Sequence, residues 1–185
     1  MEFFDVLDDK GQLTGELKNR EEVHRLGLWH RTVHVWIVNG QRELLIQKRS
    51  AQMQFCPNLW DISSAGHIEA GHSSIDTAIK EVEEELGLKL SESDFKHIFT
   101  VVQQFEWNDG ILKNNEYNDV YLVKKDLNVN ELKFDPVEVA EVKLIGIEEL
   151  ENKIKNKDES FVNHDAEYEE LFKYFKKTGS AGENC

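Results

Sequence analysis

The second half of residues 66–88 carries apolar side chains at the period of an amphipathic helix. The i, i+3, i+4, i+7 spacing puts five of them on one stripe: Ile75, Ala78, Ile79, Val82 and Leu86. Ser73 stands three residues before Asp76, a spacing that resembles a capping box and marks a helix start. Gly87 stands where a left-handed C-terminal cap would lie. The pattern therefore predicts a helix with a defined start and end.

Short apolar runs on both sides of this helix predict strands, because they alternate or are rich in β-branched residues. An N-terminal β-hairpin is expected at residues 3–17, and a central pair of strands at residues 30–38 and 43–48. Asn39-Gly40 joins the central pair and is typical of a type I′ turn. The remaining predicted elements are strands at 95–107, 115–124 and 141–145 and helices at 147–155 and 164–177. This order predicts an α/β fold with a mixed sheet between helices.

Length and charge narrow the class of protein. The chain has 185 residues, a length that suits one domain spanning 1–185. It has 22 Lys and Arg against 36 Asp and Glu, a net charge of −14, which argues against nucleic acid or an anionic membrane as the main partner. Cys56 and Cys185 are too few for a disulfide framework. With no signal peptide and no apolar run of membrane-spanning length, we expect a cytoplasmic protein.

Carboxylates and cations give the first candidate chemistry. Glu81, Glu84 and Glu85 fall close together on a helix face away from the apolar stripe. Like charges at this spacing repel, but Mg²⁺ or Mn²⁺ would make them favourable, because both ions prefer carboxylate oxygens. On these three residues alone, a solvated acidic face is the commoner outcome. Lys48 and Arg49 end a predicted strand and are candidates to hold a diphosphate.

Residues 66–88 resemble the Nudix box. That pattern is Gly, five residues, Glu, seven residues, Arg-Glu, an aliphatic residue, any residue, Glu-Glu, any residue, Gly and an aliphatic residue. The positions that match in register are Gly66, Glu81, Val82, Glu84, Glu85, Gly87 and Leu88. Two positions depart, because His72 replaces the first Glu and Lys80 replaces the Arg.

The resemblance implies the α/β/α sandwich of the Nudix family and metal-dependent hydrolysis of a small diphosphate, with homodimers common. It implies Mg²⁺ or Mn²⁺ held by Glu81, Glu84, Glu85 and the carbonyl of Gly66. Glu84 also stands in a position that can take part in catalysis, and Lys80 would orient the glutamates and contact substrate. A base or second metal ligand from outside the box is usual in the family, and Glu116 is the candidate.

Sequences around the box look like the Nudix subgroup related to type 1 isopentenyl-diphosphate isomerase, including residues 27–31, 60–67 and 115–121. His30, His67 and Glu116 match positions that bind metal or act in that isomerase, so the first two are also candidate substrate contacts. The isomerase cysteine, however, is Ala65 here. Ala65 has no titratable group, and the nearby Ser64 is a poor substitute because a hydroxyl is a weak acid compared with a thiol. The resemblance therefore favours a hydrolase, with isomerase as the alternative.

A third interpretation is a diphosphate-binding module with weakened catalysis, which His72 would explain. Substrate specificity is expected from the loop at 106–114 and from the aromatic residues Trp29, Phe105 and Trp107, of which Phe105 is expected to lie in the core. The N-terminal hairpin is expected to cover a sheet edge and to carry no chemistry.

Overall fold

The computed structural model describes residues 1–107 and 112–180. Nine strands and four α-helices follow one another along these residues. The strands are β1 Phe3–Leu7, β2 Leu13–Asn19, β3 Trp29–Val38, β4 Glu43–Arg49, β5 Trp60–Asp61, β6 Ser64–His67, β7 Phe95–Trp107, β8 Leu112–Lys124 and β9 Val139–Gly146. The helices are α1 Arg20–Leu26, α2 Ser74–Leu86, α3 Ile147–Lys155 and α4 Asp165–Ser180.

All nine strands form one mixed sheet with β3 at its centre. β3 runs parallel to β8 along its whole length and antiparallel to β1, β4 and β6. β7 extends the sheet beyond β8, and β9 extends it beyond β4. A strand flanked on both sides in this way must be apolar over most of its length, which explains the run of β-branched residues in β3.

Helices cover both faces of the sheet. α2 packs its apolar stripe on one face, where Ala78, Val82 and Leu86 meet Val33 and Val35 of β3. α3 and α4 cover the other face, and their side chains share a second core with Trp36 of β3. The predicted α/β/α sandwich is therefore confirmed. No helix among the described residues is long and apolar enough to cross a membrane.

The caps of α2 are those that its sequence predicts. The side chain of Ser73 accepts a hydrogen bond from the backbone N–H of Asp76, and Gly87 ends the helix at φ 67°. A left-handed residue at this position lets the chain turn away and exposes the last carbonyls to backbone donors. The orientation of the helix over the sheet is thus fixed at both ends.

The β3–β4 connection differs from the predicted type I′ turn. Within this connection, Arg42 adopts the left-handed conformation, at φ 62°, whereas Gly40 does not. The side-chain oxygen of Asn39 accepts hydrogen bonds from the backbone of Gln41 and Glu43, which stabilises a longer loop. The Asn side chain therefore replaces the backbone geometry that a two-residue turn would need.

The packing of α2 gives a stability prediction. We expect Leu86→Ala, at a residue that is 0% exposed, to lower the free energy of unfolding by about 2 to 5 kcal/mol. Leu13→Ala is the matched control, because Leu13 is 70% exposed, and we expect a change within about 0.5 kcal/mol. Urea denaturation in the presence of a chelator measures both. Equal losses in the two variants would contradict this account of the core.

Candidate active site

The carboxylates of the box line one wall of a deep cleft. Glu85 is buried with 6% exposure, and the side chain of Glu81 is 15% exposed. Burial raises the pKa of Glu85 to about 8 and that of Glu81 to about 7, and their mutual repulsion adds to the rise for Glu85. The side chain of Glu84 is 59% exposed at the mouth of the cleft. Buried carboxylates without enough compensating charge are typical of a cation site.

Gly66 makes room for this arrangement. A Cβ atom at residue 66 would lie 2.3 Å from Cδ of Glu81, which no side chain could tolerate. The neighbouring N–H of Ala65 donates to Oε2 of Glu85 over 3.3 Å, and Nε2 of Gln47 donates to the same oxygen over 3.2 Å. The glycine and these two donors fix both carboxylates against the sheet.

Lys80 lies among the acidic groups that the box cation is expected to orient. Its Nζ lies 3.5 Å from carboxylate oxygens of Glu69 and Glu84 and 3.8 Å from Glu81. These three acidic groups raise the pKa of Lys80, although burial opposes the rise, so its ammonium stays charged. An ammonium already shared by three carboxylates is a positioning group, and we do not assign it to substrate.

Sequence reasoning missed a fourth carboxylate, that of Glu138. Glu138 lines the same cleft, and its charge helps to raise the pKa values of Glu81 and Glu85. The turn that carries it is tied down by two backbone hydrogen bonds, Asp135 N–H to Glu85 O at 3.0 Å and Ser50 N–H to Glu138 O at 2.8 Å. No local pattern marks a lone loop glutamate, so only the tertiary fold identifies it.

A second group of potential metal ligands lies at the inner end of the same cleft, which His24, His67 and Glu116 line. His24, His30, His67 and Glu116 each place one ligand atom within 4.8 Å of the others. Nε2 of His30 and of His67 lie 3.4 and 3.5 Å from Oε1 of Glu116, yet neither nitrogen has a hydrogen-bond partner among the described residues. Ligands about 2.1 Å from one ion would lie about 3 to 4 Å apart, so this spacing needs only a small contraction.

The imidazoles of this cluster are prepared as ligands. Nδ1 of His30 faces the carbonyl of Leu28 at 3.0 Å, and Nδ1 of His24 faces the carbonyl of Arg20 at 2.8 Å. A proton on Nδ1 leaves the lone pair on Nε2. Burial lowers the pKa of His24, and burial lowers that of His67 to about 4, so both rings are neutral.

The N-terminal hairpin packs against this cluster but supplies none of its four potential ligands. Phe4, from β1, is fully buried and stacks on the rings of His30 and His67 with centroid distances of 5.5 and 4.9 Å. α1 supplies His24, and its cap residue Gly27 sets the entry to β3. The hairpin therefore encloses one side of the metal-ligand group.

For three predicted residues, the cluster favours the metal-ligand role over a direct contact with substrate. His30 is 0% exposed, and Glu116 is 6% exposed. These residues, with His67, face one another, and a direct contact with substrate would have to displace that arrangement. Burial opposes ionisation of Glu116, but the neighbouring imidazoles of His30 and His67 outweigh it and hold the pKa of Glu116 well below its usual range. Glu116 fits a ligand better than a base, and Oδ1 of the neighbouring Asn114 is buried and has no partner among the described residues.

In a third cluster, the polar side chains are hydrogen-bonded to one another or to neighbouring groups. Nδ1 of His34 lies 2.5 Å from Oε2 of Glu167, whose other oxygen accepts the indole N–H of Trp36 at 2.7 Å. Burial opposes the charge, but Glu167 raises the pKa of His34 to about 9. Nε2 of His164 lies 2.8 Å from Asp61. Although His34, His164 and Glu167 are close enough to hold an ion, protonated and paired groups do not need one.

Lys48 and Arg49, the two cations predicted to bind a diphosphate, lie in different places. Arg49 lines the cleft, where its Nη1 donates to Asp61 over 2.9 Å. Lys48 is its neighbour on β4 and projects from the opposite face, with Nζ 5.9 Å from the ring of Trp60. Successive residues of a strand alternate between faces, so only one of the pair can reach the cleft. Lys48 is therefore removed from the candidate substrate contacts.

The remaining residues singled out in the sequence have different environments. His72 is exposed and belongs to neither metal-ligand group of the described residues, which weakens the binding-module interpretation. Phe105 is 38% exposed and lines the cleft, so its expected place in the core is wrong. Trp29 packs on Tyr117 at 5.2 Å. Residues 108–111 of the predicted loop and the side chain of Trp107 lie outside the described residues.

Comparison with known proteins places the chain in a family. A NUDIX domain model matches residues 28–165. Nudix hydrolase 3 of Arabidopsis thaliana is 46% identical over 176 residues, which cover 92% of this chain but only 23% of the length of that relative. An uncharacterised Nudix hydrolase of Clostridium acetobutylicum is 34% identical over 159 residues, covering 84% of this chain and 75% of the relative.

More distant similarities include an isomerase and a solved structure. An isopentenyl-diphosphate Delta-isomerase of Pectobacterium atrosepticum is 25% identical over 156 residues, covering 84% of this chain and 83% of the isomerase. The crystal structure of DR0079 from Deinococcus radiodurans has a TM-score of 0.64 at 21% identity, covering 84% of this chain and 90% of that chain. The second similarity concerns the fold alone.

The raised pKa values predict how pH acts on the metal-free protein. Glu85 titrates near pH 8 when folded and near its ordinary pKa of 4.5 when unfolded, so the folded state binds the extra proton in between. Stability should therefore fall as pH rises from about 5 to 8. Glu85→Gln removes this contribution and should flatten the profile, whereas Glu83→Gln, at an exposed position of the same helix, should leave it unchanged.

Thermal unfolding at a series of pH values, with chelator and then with Mg²⁺, measures this effect. Mg²⁺ should raise the melting temperature of the wild type most near pH 8, and should raise that of Glu85→Gln little. Profiles of the same slope for wild type and Glu85→Gln would refute the burial argument.

The two ligand groups predict two metal sites with different preferences. Carboxylates suit Mg²⁺ and Mn²⁺, whereas three imidazoles with a carboxylate suit Mn²⁺ or Zn²⁺ better. Equilibrium dialysis should find two Mn²⁺ ions per chain in the wild type and one in either Glu85→Gln or His67→Ala. His97→Ala, at a histidine whose side chain is 47% exposed, is the control and should keep both. Loss of both ions from one variant would show that the groups form a single site.

Proposed function

Because the chain belongs to the Nudix family, whose hydrolases generally use divalent metal ions, we propose that it is a metal-dependent hydrolase that cleaves the diphosphate bond of a nucleoside or other organic diphosphate. The observation that supports this most is the pair of buried carboxylates, Glu81 and Glu85, beside a cleft that also holds Arg49. The Arabidopsis relative is more than four times as long as the matched region, so its own activity is not transferred.

Mg²⁺ or Mn²⁺ would be held by Glu81 and Glu85, with the carbonyl of Gly66 and the carboxylates of Glu84 and Glu138 within the same wall. A bound divalent ion would stabilise the negative charge that gathers on phosphoryl oxygens. Gly66 leaves the space in which Glu81 lies, and Lys80 lies between the carboxylates of Glu69, Glu81 and Glu84 and reduces their repulsion. This division of roles explains why Lys can replace Arg at residue 80.

Arg49 is the proposed contact for the second phosphate. Its guanidinium is held from behind by Asp61 and by the carbonyl of Phe55, at 2.9 and 3.0 Å. These two bonds use only part of its five donors, and the rest can face the cleft. Glu84, at the cleft mouth, is the proposed acceptor for the proton of the attacking water, because it is the most exposed of the three box carboxylates.

The isomerase alternative has less support. Protonation of a C=C unit would create a positively charged carbon in the inner cleft. Ala65 supplies no acid there, and its partner in the β3–β6 ladder is His34. Glu167 raises the pKa of His34 to about 9, but the protonated ring is paired with the Glu167 carboxylate, so the two together add no net charge beside that position. The missing acid at residue 65 is therefore the main observation against isomerisation.

Turnover of a substrate panel tests the proposal. Nucleotide, sugar-nucleotide, isoprenoid and cofactor diphosphates are incubated with Mg²⁺ or Mn²⁺, and the phosphorylated products are followed by ³¹P NMR. Glu85→Gln should lose about a hundredfold or more of kcat, because the ion that it holds supplies most of the charge stabilisation. Glu83→Gln should keep activity. Hydrolysis at equal rates in Glu85→Gln would reject the site, and isomerisation without hydrolysis would favour the alternative.

A further inference from the structure

A separate pocket of about 360 Å³ lies at the opposite end of the sheet from the cleft. It is enclosed by the β3–β4 turn, the end of β8, the start of β7 and the end of α4. Thr32 of β3 lines the cleft and Val38 lines this pocket. Six residues of strand between them span about 20 Å. The pocket, called the basic pocket below, is therefore remote from the candidate active site.

Four basic residues surround the mouth of the basic pocket: Arg42, Lys96, Lys124 and Lys125. All four are exposed, and within residues 1–107 and 112–180 none forms an ion pair with a carboxylate. The acidic residue that lines the pocket is Asp126, whose Oδ1 accepts the N–H of Gly40 at 2.8 Å. The lining thus carries four cations and one carboxylate on a chain whose net charge is −14, although Lys125 also helps to lower the pKa of Asp94 nearby. An excess of cations in a concave site attracts an anion.

The floor of the basic pocket is apolar. Leu122, Ile147 and Phe175 form it, with exposures of 2%, 5% and 6%. Tyr174 is half-buried at its side, and Nζ of Lys96 lies 5.7 Å from the centre of its ring. Cations above an apolar and aromatic floor fit a ligand that carries both an anionic group and a flat or apolar body.

Arg42 is held in place by the backbone rather than by an acidic partner. Its φ of 62° lies in the left-handed region, which residues other than glycine seldom occupy. Its N–H donates to Asn39 O over 3.1 Å, and its carbonyl accepts the N–H of Ile147 at 3.2 Å. The guanidinium lies against Gly179 at the end of α4, where a Cβ atom would come within 3.1 Å of Nη1. The absence of a side chain at residue 179 leaves the guanidinium its position at the pocket.

We propose that the basic pocket binds a small organic phosphate, with its phosphate on Arg42 and the lysines and its flat body on the apolar floor. A guanidinium pairs with two phosphate oxygens at once, and ammonium groups add charge without fixed geometry. The pocket shares no lining residue with the cleft, so this proposal does not depend on the proposed hydrolysis.

Binding of AMP to the full chain in the presence of a chelator tests the proposal. AMP has no diphosphate bond to cleave, and the chelator removes metal from the cleft. Titration followed by ¹⁵N NMR should shift the amide signals of Gly40 and Gly179, which lie at the pocket, in a saturable way at about 0.15 M salt. Adenosine, which lacks the phosphate, and inorganic phosphate, which lacks the body, should each bind at least about tenfold more weakly.

A pair of double variants gives the decisive comparison. Arg42→Glu with Lys125→Glu should weaken AMP binding about tenfold or more, because both phosphate contacts become repulsive. Lys157→Glu with Lys10→Glu carries the same change of charge and also alters one left-handed residue, at φ 53°, but lies outside the pocket. This control should bind AMP as the wild type does.

Three results would overturn the proposal. The first is loss of binding in the control as large as in the pocket variant, which would mean that only net charge matters. The second is a set of AMP-induced shifts confined to cleft residues, or no saturable binding at all. The third is phosphate binding as tight as that of AMP, which would reject the flat body as part of the ligand.

Discussion

The burial of the Glu85 carboxylate between α2 and the sheet is the constraint on which the site depends. Two donors, from Gln47 and the backbone of Ala65, hold one oxygen, but they do not replace the water that burial removes. The pKa therefore rises to about 8, and Glu81 beside it rises to about 7. At neutral pH a divalent cation is the partner that would let both ionise at low cost. The helix that carries these groups must be anchored elsewhere, and its apolar stripe and two caps do this.

The central strand β3 serves two purposes because its faces alternate. Val33, Val35 and Ile37 receive the apolar stripe of α2. His30, Thr32 and His34 point to the other face and give the cleft a polar floor. Neighbouring strands add Glu116 and His67 to that floor, in ladder positions opposite His30 and Thr32. The box carboxylates and the imidazole-rich group therefore line one cleft, from different elements.

The local parts of this arrangement could be predicted from the sequence, and the non-local parts could not. The start and end of α2 follow from Ser73 and Gly87 because caps act within a few residues. Glu138 and His24 reach the site only through long-range packing, which no periodicity encodes. Lys48 and Arg49 were an intermediate case, since alternation along β4 separates them once it is known which face carries Gln47. The prediction of a type I′ turn between β3 and β4 was wrong because the Asn39 side chain accepts hydrogen bonds that the Asn-Gly pattern assigns to the backbone.

The same scaffold can serve hydrolysis or isomerisation, and the charges of the inner cleft distinguish the two. Hydrolysis of a diphosphate gathers negative charge, which fixed cations stabilise. Protonation of a carbon–carbon double bond gathers positive charge, which the same cations oppose. In this chain Arg49 lines the cleft with donors beyond those that bind Asp61 and Phe55, and Ala65 removes the acid that isomerisation would use. His34 is protonated but paired with Glu167, so it adds no net charge to either reaction. The argument for hydrolysis therefore depends on the missing acid at residue 65 together with the box carboxylates.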